Sequence, residues 1–332
     1  MTRECFLCFR ILAAAMLLIC ICHLAIAETQ PSVVAAGIRA SRLTLTRGKL
    51  RIRRTDTWPA EQRREESIFL VEWEDDALRF IETLSDGTEI RRSIRSKGEL
   101  LFRTKEYGGG LDDANKGYAH FLFDPRLLGA YPILSPSLMI SDCLFASKGW
   151  SIALVTPSET IDGHECMVLR WSTTGFAQDY WVENAKGFPV RKIYDHNNNV
   201  QIESSYSPGQ TLPDVVRMTY LSEGGVAERQ TEFVIDSYTP EGVVSEHFSM
   251  AGLGLEFGES VTDQRLHQVV GYWNGTALSP SRHQAFDDAN IRSSAPRRRL
   301  GMALGVVVVA AVVVVWCVLR QRGGAKRCLS QE

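Results

Sequence analysis

The chain has 332 residues, 45% of them hydrophobic, with 37 Lys and Arg against 39 Asp and Glu and a formal net charge of −2. That length allows one large domain or two small ones. Both signs of charge are interspersed without a basic stripe, which argues against a nucleic-acid binder built on phosphate attraction.

Arg3 and Arg10 stand against a single acid, Glu4, ahead of an apolar run from Ile11 to Ile26 broken only by His23. The run closes on Ala25-Ile26-Ala27, a small-x-small triplet, and polar Glu28, Thr29 and Gln30 follow at once. Positive start, apolar core and small-residue exit predict a signal peptide over 1–27, with an uncleaved anchor as the alternative. Cys20 and Cys22 are poor lipidation sites because bulky Ile19 and Ile21 precede them. At the far end, 300–319 carries no charge and lies between Arg297, Arg298 and Arg299 on one side and Arg320, Arg322, Lys326 and Arg327 on the other. At about 1.5 Å per residue such a run matches a hydrocarbon core, so a transmembrane helix is expected there. Gly301 and Gly305 have helix-packing spacing, a weak signal. The expected organisation is therefore an extracytoplasmic, periplasmic ectodomain over 28–273, a flexible stalk over 274–299, the span, and a short basic cytoplasmic tail over 320–332. The ectodomain and stalk together carry about −6.

Cys143 and Cys166 are the two cysteines between the ends. In an oxidising compartment they are a candidate disulfide, with two separate buried thiols as the alternative. His164, Glu165 and Cys166 are sequential, and His247, His267 and His283 lack ligand spacing, so no metal is expected.

Residues 32–47 read as an amphipathic helix or helix-to-strand entry, with Val33, Ala36 and Ala40 roughly on one side. From Gly48 the period is two: Leu50 and Ile52, then Phe69, Val71 and Trp73, then Leu78 and Phe80. Asp86-Gly87 and Lys97-Gly98 predict turns around strands at 88–95 and 99–103. Residues 104–149 break the rhythm. Gly108 to Gly110 read as a flexible connection, and a proline-punctuated apolar stretch with Phe121, Phe123, Leu127 and Leu128 reads as short helices and loops over an open sheet, one of them near 138–145. Strands resume at 151–155, 166–171, 178–183, 189–195, 200–206, 215–221 and 229–236, separated by Asp162-Gly163, Gly175, Asn197 to Asn199 and Glu223-Gly224-Gly225. Residues 243–273 give no firm assignment.

Two segments carry a resemblance. Ile161-Asp162-Gly163-His164-Glu165-Cys166 opens one strand. Asp179-Tyr180-Trp181-Val182-Glu183 then turns through Lys186-Gly187-Phe188-Pro189 and returns as Val190-Arg191-Lys192. This resembles the hairpin of bacterial outer-membrane lipoprotein-sorting proteins of the LolA/LolB-like superfamily, in a membrane-tethered, planctomycete-type form to which Phe257 to Arg265 is also similar. The resemblance implies a mainly β, α+β fold: a strongly curved, open antiparallel sheet or incomplete barrel, with helices covering the concave face and an apolar cavity between. Candidate cavity residues are Phe69, Val71, Trp73, Phe80, Phe102, Trp171, Trp181, Val190 and Tyr220, each of which ordinary core packing would also explain. The implied function is a membrane-anchored binding protein holding a lipid, acyl chain or lipidated protein, without a cofactor. A tethered chain does not suit the freely diffusing carrier role. The alternative is a sensing or partner-binding module that engages an inner-membrane protein, since the superfamily is similar to the periplasmic domain that restrains anti-sigma factors. No nucleophile elbow, zinc helix or phosphate loop is present, so no enzyme is expected; Asp162, His164 and Glu165 are the sole acid–base candidates. Asn274-Gly275-Thr276 fits a glycosylation acceptor.

Overall fold

The structure, a computed structural model, describes residues 30–105, 108–113, 123–132 and 150–287. They divide into two compact units, the first built from the described residues up to 105 and between 112 and 253, the second from 108–111 and 254–287.

The first unit begins with α1 (Pro31–Leu43), where Pro31 occupies the first turn and sacrifices no helical hydrogen bond. The strands follow as β1 (Arg47–Trp58), β2 (Arg63–Glu74), β3 (Ala77–Leu84), β4 (Glu89–Ser96), β5 (Glu99–Thr104), β6 (Gly108–Asp113, which straddles the two units), β7 (Ser151–Ile161), β8 (His164–Thr173), β9 (Phe176–Glu183), β10 (Val190–Asp195), β11 (Val200–Ser205), β12 (Val215–Leu221) and β13 (Ala227–Thr239). In the first unit their order is β5-β4-β3-β2-β1-β13-β12-β11-β10-β9-β8-β7. Every neighbouring pair in that order is antiparallel. All but one join strands adjacent in sequence. The exception is β1 with β13, in register from Lys49 opposite Thr239 to Thr57 opposite Gln230. Turn chemistry fixes the hairpins: between β7 and β8, Asp162 and Gly163 take φ of 49° and 82°, the paired left-handed geometry that matches strand twist.

Side-chain alternation assigns one face of this sheet to the core. Leu50, Ile52, Phe69, Val71, Trp73, Phe80, Leu169, Trp171, Tyr180, Val182, Ile202 and Val216 join one buried cluster. Val34 and Ile38 of α1 and Phe123, Leu127, Leu128 and Ala130 complete it from outside the sheet. Each large side chain contributes roughly 1.5–3 kcal/mol on burial, enough to hold α1 and 123–132 against the strands. Two 3₁₀ turns, Ser245–Phe248 and Met250–Leu253, bury Phe248 and Leu253 and add polar contacts to the sheet. Arg79 and Arg92 donate to Gly252 O at 3.3 and 3.1 Å, and Glu72 meets His247 Nδ1 at 2.8 Å.

In the second unit β15 (Gln268–Trp273) pairs antiparallel with β14 (Ser260–Asp263) and with β16 (Leu278–Ser279), and β14 pairs parallel with 109–111 of β6. A Cβ on Gly109 would lie 2.9 Å from Leu255 Cδ2 and 3.1 Å from Val261 Cγ2, so the glycines read as a flexible connection serve close strand packing.

The expected fold class is corrected. Sixteen strands are described, and the α-helical structure among the described residues is α1 plus a turn at 282–287. That is too little helix for the several covering helices expected. Over 123–132 the helical structure is a single 3₁₀ turn (Pro125–Leu127), capped by Asp124 and followed by Gly129 at φ 71°, which a continuing helix does not adopt. The sheet is also not wholly antiparallel, because β6 and β14 run parallel. Among the described residues no helix is long and apolar enough to cross a membrane, and the C-terminal span expected at 300–319 lies outside them. So do 1–27, 320–332, Cys143 and the helix expected near 138–145. Of the expected stalk, 274–287 is described and carries β16 and the helical turn.

Candidate ligand-binding site

The buried stripe of α1 is Val34, Ala35, Ile38 and Arg42, spaced about one turn apart. It differs from the stripe read from sequence: Val33 is 54% exposed, and Ala36 and Ala40 are exposed too. A cation thus closes a helix face that is otherwise apolar. Two contacts seat the helix end on the β9–β10 turn. Ser41 Oγ donates to Gly187 O at 3.1 Å, and the Phe188 ring fills the space above Gly37, where a Cβ would come within 2.4 Å of it.

Beside this contact is a cavity of about 420 Å³ walled by α1, the β9–β10 turn and the loop after β11. Ile38 and Val190, both core residues at 1% exposure, line it with Phe188, so apolar interior reaches this pocket. Its polar lining is Ser41, Arg42, Thr44, Lys186, Gln210 and Thr211, with no carboxylate. Arg42 is only 3% exposed. Its Nη2 donates to Tyr206 Oη at 3.0 Å, its guanidinium carbon lies 6.0 Å from the Tyr206 ring centre, and its Nη1 has no hydrogen-bond partner. Burial pulls the Arg42 pKa below its ordinary value, with Tyr206 and the charge of Asp124 working against that. Asp124 is itself held by Arg126, at 2.8 Å between Arg126 Nη2 and Asp124 Oδ2. Arg191 also lies over Tyr206, 5.3 Å from its ring centre, and is paired with Glu183. Burial opposes ionisation of Glu183, but Arg191 and His164 hold its carboxyl below the usual range.

At the opposite end of the inward face the apolar residues give way to charge. Asp56 accepts from Arg54 Nη2 at 2.6 Å, Arg229 Nη2 at 2.8 Å and Thr231 Oγ1 at 2.5 Å. This band edges a second cavity of about 430 Å³ lined by Trp58, Arg63 and Glu82. Burial raises the Glu82 pKa, opposed by Arg91 and Arg54.

Of the nine candidate cavity residues, Phe69, Val71, Trp73, Phe80, Trp171 and Val190 sit in the buried cluster, and Phe102 and Tyr220 pack against it. Val190 alone of the nine lines the pocket beside Arg42. Tyr220 lies at the charged end, with Arg229 stacked 5.3 Å over its ring. Trp181 falls outside the cluster, because its neighbours Tyr180 and Val182 point inward; Lys192 Nζ lies 4.9 Å over its ring. Cys166 is a buried thiol 3.6 Å from His164 O, its pKa pushed up to about 11 by desolvation. The acid–base candidates do not converge: His164 meets Glu183, Glu165 accepts from Ser158 Oγ, and Asp162 forms the turn. Among the described residues no group of His, Cys, Asp or Glu could hold a metal. Asn274 is buried at 5% exposure, its Nδ2 donating to Ser279 Oγ at 2.9 Å, so its amide is committed to the fold rather than offered for glycosylation.

No family model and no curated protein sequence matches the chain. In structure it is similar to a LolA superfamily protein from Nitrosomonas europaea, with 10% identity, 67% of this chain and 99% of that one covered, and a TM-score of 0.45. It is similar to a DUF1329 family protein from Desulfovibrio piger at 11% identity, with 67% and 99% covered and a TM-score of 0.46. Lipoprotein LppX from Mycobacterium tuberculosis matches at 9% identity, with 64% and 98% covered and a TM-score of 0.24. The functional reading rests on this chain's own residues.

Proposed function

We propose that the protein is an extracytoplasmic binding protein that holds an acyl chain, either of a lipid or of a lipidated protein, against the inward face of its sheet. The observation that carries this reading is the continuity between Ile38 and Val190 in the core and the pocket beside α1. Apolar walls with a few placed polar groups at one end suit an amphipathic ligand. The signal-like pattern of 1–27 supports the extracytoplasmic placement. The test is purification of the full-length chain from its own host, followed by solvent extraction and mass spectrometry. An acyl lipid at near-stoichiometric amount is expected, with displacement of a bound hydrophobic probe when acyl chains are added back. Lipid-free protein that ignores the probe would remove the reading.

A second reading, a partner-binding module, has one observation in its favour. The second unit leaves Phe257, Leu266 and Val269 at 52%, 60% and 50% exposure, apolar surface for a partner to cover. Co-purification of a stoichiometric protein partner in place of lipid would favour it.

A further inference from the structure

Arg42 departs from the way this chain treats its other buried arginines. Arg126 is paired with Asp124 and Arg191 with Glu183, so each buried guanidinium faces a carboxylate. Arg42, equally buried, has a phenol oxygen as its hydrogen-bond acceptor, a bare Nη1 and no carboxylate within ion-pair distance among the described residues. A buried charge without an ionic partner is strongly destabilising, which is why such charges are normally paired. Here it lines the one wall of a cavity where the apolar core meets polar groups, and Lys186 on the exposed β9–β10 turn lines the same cavity. Ser41, Gln210 and Thr211 add hydroxyl and amide groups. The carbonyl end of α1 is partly negative, but Arg42 and Lys186 bring two full positive charges against that partial one.

We propose that the pocket between α1 and the β9–β10 turn binds the anionic headgroup of an acyl ligand, a carboxylate or a phosphate monoester, with Arg42 as its buried counter-ion and Lys186 at its mouth. This deepens the acyl-binding reading and rests on it. The headgroup would be fixed by a charge-assisted contact at the surface end while the chain runs along the core side past Val190. Charge-assisted pairs are about twice as strong as neutral ones, and a guanidinium matches either oxyanion.

The test compares three ligands with one chain and different heads, oleate, oleyl phosphate and oleyl alcohol, each titrated below its aggregation point into full-length protein. Both anions are expected to bind at least about tenfold more tightly than the alcohol, the factor one charge-assisted contact supplies. Arg42→Met should bring the anions to the level of the alcohol and leave the alcohol unchanged. It should also raise the melting temperature of ligand-free protein, because an unpaired buried charge is replaced by an apolar side chain of similar length. A purely structural role for Arg42 would lower it. Lys186→Gln, on an exposed turn, should weaken anion binding by about two- to fivefold and keeps the test alive if the Arg42 variant does not fold. Whichever anion binds tighter identifies the headgroup as the carboxylate of a fatty acid or the phosphate monoester of a phosphatidic-acid-type lipid. Equal affinity of wild type for all three ligands overturns the headgroup inference while leaving acyl binding standing. Failure of all three to bind removes the acyl reading itself.

Discussion

Glu72 shows how this fold keeps charge inside a sheet. It is 2% exposed, yet burial, which alone would raise its pKa, is outweighed by hydrogen bonds from His247, Lys49 and Arg79, and the carboxyl is held below its ordinary 4.5. Asp179 follows the same pattern, with Arg170 and His196 overcoming burial. A carboxyl whose folded pKa is depressed stabilises the fold above its unfolded pKa, and that contribution fades as pH falls through the folded value. Melting temperature is therefore expected to hold near neutrality and to drop as pH is lowered below about 4.5. In Glu72→Gln the neutral melting temperature should be lower and the acid slope shallower. A variant with the wild-type slope would show that Glu72 does not titrate as its contacts imply.

Elements here are positioned by a few close approaches. Gly37 lets the Phe188 ring sit against α1, which registers the helix on the β9–β10 turn and shapes the pocket. Gly37→Ala adds helix propensity, worth about 1 kcal/mol, but its Cβ would fall 2.4 Å from Phe188 Cδ2. Overpacking of that kind costs about 1–3 kcal/mol. The expected result is a lower melting temperature and weaker acyl binding; an unchanged melt with unchanged binding would show that Phe188 moves aside freely. The hairpin is legible in sequence because Lys186-Gly187 and Pro189 are turn chemistry. The helix face is not: Val33 and Ala36 looked like the stripe, and an arginine at 42 reads as solvent-facing until the fold places it inside. Strand ends were missed for a related reason. β1 beyond Arg53 and β2 before Ile68 carry Arg54, Asp56, Glu65 and Ser67 inward, so the apolar alternation that marks a strand stops while the strand continues.

Across the whole molecule the pairing of β1 with β13 sets the topology of the first unit. Residues 49 and 239 must meet before the two arms of the sheet share one face. Contacts so distant in sequence lose much loop entropy before they return any stabilisation, and such chains fold slowly. Refolding followed by tryptophan fluorescence is expected to take milliseconds to seconds or longer. A dominant microsecond phase that restores the native signal would contradict this closure.

By itself the sequence determined the two-residue periodicity, the turns that punctuate it, and a mainly β chain with one helical entry, because all of these are local properties of backbone and side-chain pattern. It also nominated Phe69, Val71, Trp73, Phe80, Phe102, Trp171, Trp181, Val190 and Tyr220 as cavity-lining; six of them join the buried cluster, and Val190 alone lines the pocket beside Arg42. Only the tertiary structure decided which strands are neighbours, that the glycines at 108–110 form a parallel strand rather than a connection, and that Arg42 is buried beside a pocket. Those facts depend on residues far apart in the chain, and no local pattern records which of them will meet.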